Sequence, residues 1–449
     1  YLDTMKSETS LMKAVLANQV EANIAMRQMM SELTTSGGNA HYVKRKQKKE
    51  SRPAPLFNFQ QIEEMTNGSM SKVLGPYYKE VDRYPIRTRM PSPPFLFVSR
   101  IMKINATPGE LKPASIELEF DIPKTSVFAA KHQIESCPIV ESSHIGIFLL
   151  AYLGVDKLFK GKARYRVTDS AVTFLSEPPL PGQTMRGVFC IESFVKEGDK
   201  MLIFYKYSGY IGDRKFLVIR GTGGLFTEKD LNQSKGIKVI KTQKGTQPAA
   251  FPFPYKAKRQ SFSASDLNRL SAGQLFGDIF GQEHPGRNQA IKTPATPQLK
   301  MVDRIIDISC NGGSHHLGHI TAEKDIDPNH WAFSAHFKND PIFPGTVMTE
   351  GIGQILNFFM IYSGIFGSKG LAQDEALRLL PALNQKSVTS FRGQIPRRKI
   401  KLSYHVDITK VEAIPGDMVI LHGDARIYYE QKCVLQTLNA TCRAVRVKV

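Results

Sequence analysis

The segment His336-Phe-Lys-Asn-Asp-Pro-Ile-Phe-Pro-Gly345, followed by Glu350, holds the residue types of an acid–base elimination. An imidazole near neutrality can take a carbon-bound proton. A carboxyl kept protonated by burial can return one to a departing hydroxyl. Between them, Pro341 and Pro344 stiffen a loop and deny it helix. Gly345 stands where a helix would begin, and a helix start presents unpaired N–H groups at its positive end. Such groups stabilise a carbonyl oxygen as it gains charge. Each residue has an ordinary alternative. A His beside a Phe is more often structural, an early-helix Glu is usually a capping residue, and Pro-x-x-Pro-Gly is common loop punctuation. The order in which they occur together is what points to chemistry.

The elements that must position these residues occur twice. Pro91-Ser-Pro-Pro-Phe-Leu-Phe-Val-Ser-Arg100 matches Thr296-Pro-Gln-Leu-Lys-Met-Val-Asp-Arg304, and each runs into an alternating strand. Cys137 to His144 lines up with Phe343 to Glu350, and each enters an apolar helix, Ile145 to Leu153 or Ile352 to Ile365. Val172 onward lines up with Val388 onward. Three alternating strands follow in each copy, expected at 184–195, 200–210 and 214–226, and at 399–411, 417–428 and 432–447. A helix apolar nearly all round must be covered on every side. A curled antiparallel sheet wrapped around one central helix, the hot-dog arrangement, does this. The expected fold class is α+β, a double hot dog with its sheets joined edge to edge, which would also cover edge strands. The expected divisions are an N-terminal helix (1–34), a linker (35–90), a first hot dog (91–230), a second linker (231–292) and a second hot dog (293–449).

The motif resembles that of the β-hydroxyacyl-(acyl carrier protein) dehydratases: His336-Phe337, Asp340-Pro341, Pro344-Gly345 and the acid Glu350, with Gln354 one helical turn on. Phe391-Arg-Gly-Gln394 resembles a further strand of that family. The paired arrangement resembles the tandem dehydratase region of polyunsaturated fatty-acid synthases, where a degenerate hot dog precedes a functional one. The resemblance implies dehydration of a 3-hydroxyacyl thioester to the trans-2-enoyl thioester, with or without isomerisation of the new double bond. It implies His336 as base, Glu350 as acid, backbone N–H groups at Gly345 for the carbonyl oxygen, and Pro344 and Gln354 in support. It implies no bound cofactor, the substrate riding on the phosphopantetheine of an acyl carrier protein. The implied partners are carrier domains, other domains of the same megasynthase and a second copy in a homodimer.

The first copy departs from the pattern. Ala130 stands where the repeat expects the His, and His144 where it expects the acid, with His132 and Glu141 nearby but out of register. In this family, base and acid of one site usually come from opposite hot dogs. By that rule His336 faces Glu141 or His144, and Glu350 faces Ala130. Three arrangements stay open: Glu350 serves with His336, Glu141 or His144 completes the site, or a second chain supplies the acid. A hot-dog thioesterase and a non-catalytic acyl-binding scaffold are the competing functions.

Bulk properties bound these readings. The 449 residues suit two or three domains, and the chain, which starts at Tyr1, reads as a piece of a longer polypeptide. The formal net charge of +19 favours an acidic partner, and an acidic carrier protein fits. The basic run at Lys44 to Lys49 lies in linker-like sequence without interleaved aromatics, so nucleic acid is not expected. Residues 4–33 carry helical spacing at Met12, Leu16, Val20 and Ile24. Five scattered cysteines form no C-x-x-C pair, which fits a reducing cytoplasm. No apolar run reaches the ~18 residues of a membrane span.

Overall fold

The computed structural model describes residues 53–126, 128–130, 133–239, 251, 253–255, 257–290, 296–365, 375–414 and 418–448. The expected helix at 4–33, the basic run at 44–49 and His132 lie outside the described residues. The first copy contributes β1 (Arg100–Asn105), β2 (Ala114–Asp121), the small hairpin β3 (Ala129–Ala130) and β4 (Gln133–Ile134), then β5 (Ala163–Phe174), β6 (Thr184–Glu197), β7 (Lys200–Ile211) and β8 (Arg214–Thr227). The second contributes β9 (Arg304–Ser309), β10 (His319–Ile326), β11 (Glu375–Leu380), β12 (Lys386–Phe391), β13 (Ile400–Ile414), β14 (Met418–Tyr429) and β15 (Lys432–Lys448).

The strands form one antiparallel sheet in the order β1-β2-β6-β7-β8-β5-β12-β15-β14-β13-β10-β9, with β11 also on β15. The first six and the last six run in the same internal order, read from opposite edges. The repeat is therefore structural, and the two hot dogs meet edge to edge at β5 and β12. There Val172 pairs with Ser387 and Ala171 with Val388. Under the repeat, which equates Val172 with Val388, these two pairs exchange, so the seam is self-complementary like an isologous interface. Alternating burial along β2, β6 and β7 gives each strand one apolar face. Register shifts at Ile191/Ser193 and at Ile408/Lys410 fall at matching places in β6 and β13. Such bulges bend the strands, which curls each sheet around its helix.

The central helices differ. In the second copy one helix runs unbroken from Gly345 to Ser363, and the cap Gly364 adopts φ 72 to end it. In the first copy the path is α2 (Ser136–Glu141), a 3-10 turn (Ser142–His144) and α3 (Ile145–Tyr152). At the turn the Ser142 hydroxyl hydrogen-bonds the Ile139 carbonyl at 2.6 Å and the Tyr207 hydroxyl at 2.6 Å. Residues Ile145 to Ala151 are all buried, as an all-round apolar helix requires.

The expected linkers are corrected where the structure describes them. Phe57 bridges to Ile101, precedes the cap Asn58 and helix α1 (Phe59–Asn67), and packs its ring on Phe148 of α3 at 5.3 Å. Phe262 bridges to Ile305, precedes the cap Ser263 and helix α4 (Ala264–Ser271), and packs on Phe358 at 5.1 Å. Helix α5 (Phe276–Phe280) adds Phe280 against Phe358 and Tyr362. These stretches are thus a repeated outer layer over the exposed side of each central helix. Their prolines and charges give them the composition of linkers, but Phe57 and Phe262 sit where a residue before an N-cap staples a helix end.

Within the long helix Gly351 lies against Tyr404, whose ring would stand 2.8 Å from an added Cβ. Tyr404 is fully buried and cannot swing away. Gly351→Val is expected to cost about 1–3 kcal/mol by overpacking, read as a lower urea midpoint with an unchanged slope.

Candidate active site

The second copy's motif begins with α6 (Trp331–Ala335), whose C-cap is His336. The His336 backbone donates to the Ala332 carbonyl at 3.0 Å and accepts from Ile342 N–H at 2.9 Å. Its ring is buried, with Nδ1 3.3 Å from the Ile342 carbonyl. A carbonyl can only accept, so Nδ1 carries the proton there and Nε2 is left bare as a base. Burial, the neighbouring His144 and the Arg166 guanidinium hold this imidazole well below its ordinary range. His336 is therefore neutral at physiological pH.

The loop that follows is anchored on the first hot dog. Asp340 takes two bonds from Arg166, at 2.7 and 2.8 Å, and Arg164 stands 3.3 Å away. Arg166 also donates through Nε to Gln394 at 3.1 Å. Two parts of the sequence motif, Asp340 and Gln394, therefore converge on one arginine of the opposite copy. Arg164 and Arg166 alternate on β5, which puts them on one face of the seam strand. That Arg-x-Arg spacing is the available signal in the sequence, but without the seam nothing ties it to Asp340.

Pro344 is the extended N-cap of the helix, α7 (Gly345–Ser363). The first bond of its ladder is Met348 N–H to the Pro344 carbonyl at 3.3 Å, so the N–H groups of Gly345, Thr346 and Val347 precede it. An added Cβ on Gly345 would stand 2.5 Å from the Phe391 ring, so this helix start admits only glycine beneath that ring. Gln354 is placed behind the site. It donates to the Leu299 carbonyl at 2.6 Å and accepts from Met301 N–H at 2.9 Å, tying the strand that leads into β9 to the helix.

His336, Gly345 and Glu350 line one cavity of about 280 Å³ with Glu135, Glu141 and His144 of the first copy. The His144 ring lies 5.8 Å from that of His336. Glu141 is buried, touches His144 Nδ1 and accepts the Thr346 hydroxyl of α7. Glu141 and His144 are close, but their angles are not those of a hydrogen bond. No hydrogen bond joins Glu350 to His336 among the described residues. Glu350 accepts Cys137 N–H at 3.3 Å and interacts with Glu135, the residue just before α2. Burial pushes Glu350 up to about 7. Burial and the Glu350 charge push Glu135 well above the carboxylate range. Two carboxyls in one dry site cannot both ionise, so the pair holds a proton at neutral pH.

The sequence gives His336, Gly345 and Glu350 as site residues with Glu141 or His144 as open cross-half partners, and all five line this cavity. The structure adds Glu135, Thr346 and Arg166. Glu135 carries no signal, because the first copy has lost the motif that would mark it. Among the described residues no group of three His, Cys, Asp or Glu could hold a metal ion. Among them, too, no helix is long and apolar enough to cross a membrane.

Residues 293–438 match the FabA-like domain. The chain is similar to a polyunsaturated fatty acid synthase subunit from Thraustochytrium sp., 26% identical over 367 residues that make up 79% of this chain and 24% of that protein. It therefore spans about a quarter of that relative's length. Among solved structures, a trans-AT polyketide synthase dehydratase domain from Brevibacillus brevis is 11% identical, covering 78% of this chain and 100% of that one at a TM-score of 0.40. A 12:0-ACP thioesterase from Umbellularia californica is 8% identical, covering 74% and 94% at 0.37. Both are loose likenesses.

Removing Arg166 leaves Asp340 with only the more distant Arg164. Arg166→Met is expected to cost about 2–3 kcal/mol in chemical denaturation. Arg166→Lys should recover only part of it, since an ammonium cannot reproduce the two-pronged contact.

Proposed function

We propose that this chain, whose residues 293–438 form a FabA-like domain, removes water from 3-hydroxyacyl thioesters to give trans-2-enoyl thioesters. The observation that carries the reading is a neutral, buried His336 sharing one cavity with a carboxyl pair that keeps its proton at neutral pH. His336 Nε2 takes the proton at C2, acidified by the thioester. The carbonyl oxygen gains charge and is stabilised by the N–H groups that open α7 near Gly345. The C2 electrons form the C2–C3 double bond as the C3–O bond breaks. The hydroxyl takes a proton from the carboxyl and departs as water, and the thioester stays intact. Glu350 is the donor, with Glu135 sharing and replenishing its proton. The proposed elimination uses side chains and backbone alone.

A second reading rests on the 5.8 Å approach of His144 to His336. In it the Glu141–His144 pair protonates the leaving hydroxyl, and Glu350 only shapes the far wall. The two are separated by which carboxyl matters: Glu350→Gln disables the chemistry in the first and Glu141→Gln in the second.

We further propose that the acyl group arrives on the phosphopantetheine of an acidic carrier protein, drawn by the +19 charge, and that the chain works among other domains of a lipid megasynthase in the cytoplasm. A thioesterase would need a water aimed at the carbonyl carbon, whereas the groups gathered here suit proton removal and return.

Two outcomes test the chemistry. His336→Ala is expected to lower kcat by about 10²- to 10⁴-fold, the usual worth of a positioned base; a native rate would remove His336 from the reaction. The pH profile of kcat/KM is expected to be bell-shaped. The base must be neutral and titrates well below 6.5, so its limb lies on the acid side. The acid must be protonated and titrates near 7, so activity falls as pH rises through about 7. Glu350→Gln should abolish that alkaline limb along with most of the rate.

A further inference from the structure

The long central helix contains three glycines, and glycine weakens a helix relative to alanine. Two have a packing reason. A Cβ on Gly345 would strike Phe391 at 2.5 Å, and one on Gly351 would strike Tyr404 at 2.8 Å. Gly353 has none, since a Cβ there would find nothing within 4 Å. It lies in the middle of the helix and lines the cavity. The missing side chain is therefore cavity space.

Its place in that cavity is informative. Gly353 is three residues beyond Glu350, so the two lie on one face of α7, a turn apart. Before it, toward the helix start, the walls carry the polar groups His336, His144, Glu141 and Glu350. The next turn of the helix lines the cavity with Leu356 and Asn357, and its remaining walls include the apolar Leu380, Ala382 and Ala440 of the second copy and Val172 and Phe174 across the seam, with Gln385 and Thr441 among them. From Glu350 to Asn357, the last cavity-lining residue of the helix, the rise is about 10 Å. That length takes an extended tail of about eight carbons, from C–C bonds of about 1.5 Å set in zigzag.

We propose that Gly353 sets the acyl-chain length this site accepts, by leaving open the passage through which the alkyl tail runs along α7 from the reacting carbons toward Leu356. This rests on the dehydration reading for the identity of the ligand, not for the existence of the passage. A methionine at 353 would fill the passage, its side chain leaning back over the turn that carries Thr349 and Glu350. It would shut out tails longer than about four carbons beyond the Glu350 level, three residues of helix or about 4.5 Å away.

The test uses the full chain and its Gly353→Met and Gly353→Ala variants with 3-hydroxybutyryl and 3-hydroxydecanoyl thioesters. The ratio of kcat/KM for decanoyl over butyryl is expected to fall about a hundredfold in Gly353→Met, the loss of roughly three to four buried methylenes. Gly353→Ala should fall between it and the native chain. An unchanged ratio overturns the proposal. A Gly353→Met chain that unfolds or melts well below the native one also overturns it, because the argument requires empty space at that Cβ. Calorimetric binding of butyryl- and decanoyl-pantetheine amides, which cannot be turned over, reads the passage separately from the reaction. The native chain should prefer the decanoyl amide and the methionine variant should lose that preference; equal binding by both chains contradicts the passage. If the native chain dehydrates neither substrate yet shows this binding pattern, the dehydration reading fails and the passage stands.

Discussion

The antiparallel pairing of β5 with β12 is the constraint from which the rest of the site follows. A curled sheet around one helix has an open edge, and a pair of such sheets can satisfy both edges at once. Because the pairing exchanges Val172–Ser387 with Ala171–Val388, the two copies sit as pseudo-symmetric partners. This brings the start of each central helix against the other copy. Glu135, Cys137 and Glu141 reach α7, while Arg166 reaches back to hold Asp340 beneath His336. Without the seam, each of these groups would face solvent or an empty edge.

A pseudo-symmetric pair could hold two equivalent sites, and divergence has left one that is composite. The second copy keeps the His336 arm, the glycine helix start and an unbroken helix. The first has Ala130 and His144 in the corresponding places and breaks its helix at Ser142. What it contributes instead is ionisable groups along the seam: Glu135, the buried Glu141 and His144 on one side, Arg164 and Arg166 on the other. Ionisable groups withdrawn from water cost stability unless compensated, and here Glu141 accepts the Thr346 hydroxyl and Arg166 holds Asp340 across the seam. The first copy thus supplies much of the charge around a cavity whose His336 belongs to the second.

Much of this is legible in the sequence, for physical reasons that differ by element. The strands after each central helix fall within a few residues of their expected places, because one face of each is buried and the period-two alternation is strong. The expected 200–210 strand is Lys200–Ile211, and the expected 417–428 strand is Met418–Tyr429. The seam is implied by the match of Val172 with Val388, the very strands that pair. The outer layer at Phe57 and Phe262 reads as linker, since a single aromatic before a cap carries its signal in three dimensions rather than in periodicity. Glu135 is invisible because its meaning comes only from Glu350 across the seam. The pairing of Glu350 with Glu135, rather than with His336 alone, likewise depends on a contact between residues 215 apart in sequence.

That a base from one copy and a buried acid at the seam remove water is tested most directly by mass. The full chain is incubated with a 3-hydroxyacyl thioester in deuterated water, and the thioesters are then analysed by mass spectrometry. The expected result is an intact thioester lighter by one water, with recovered substrate carrying deuterium at C2 from the reverse reaction. Free 3-hydroxy acid, or an untouched substrate with no deuterium at C2, would contradict it.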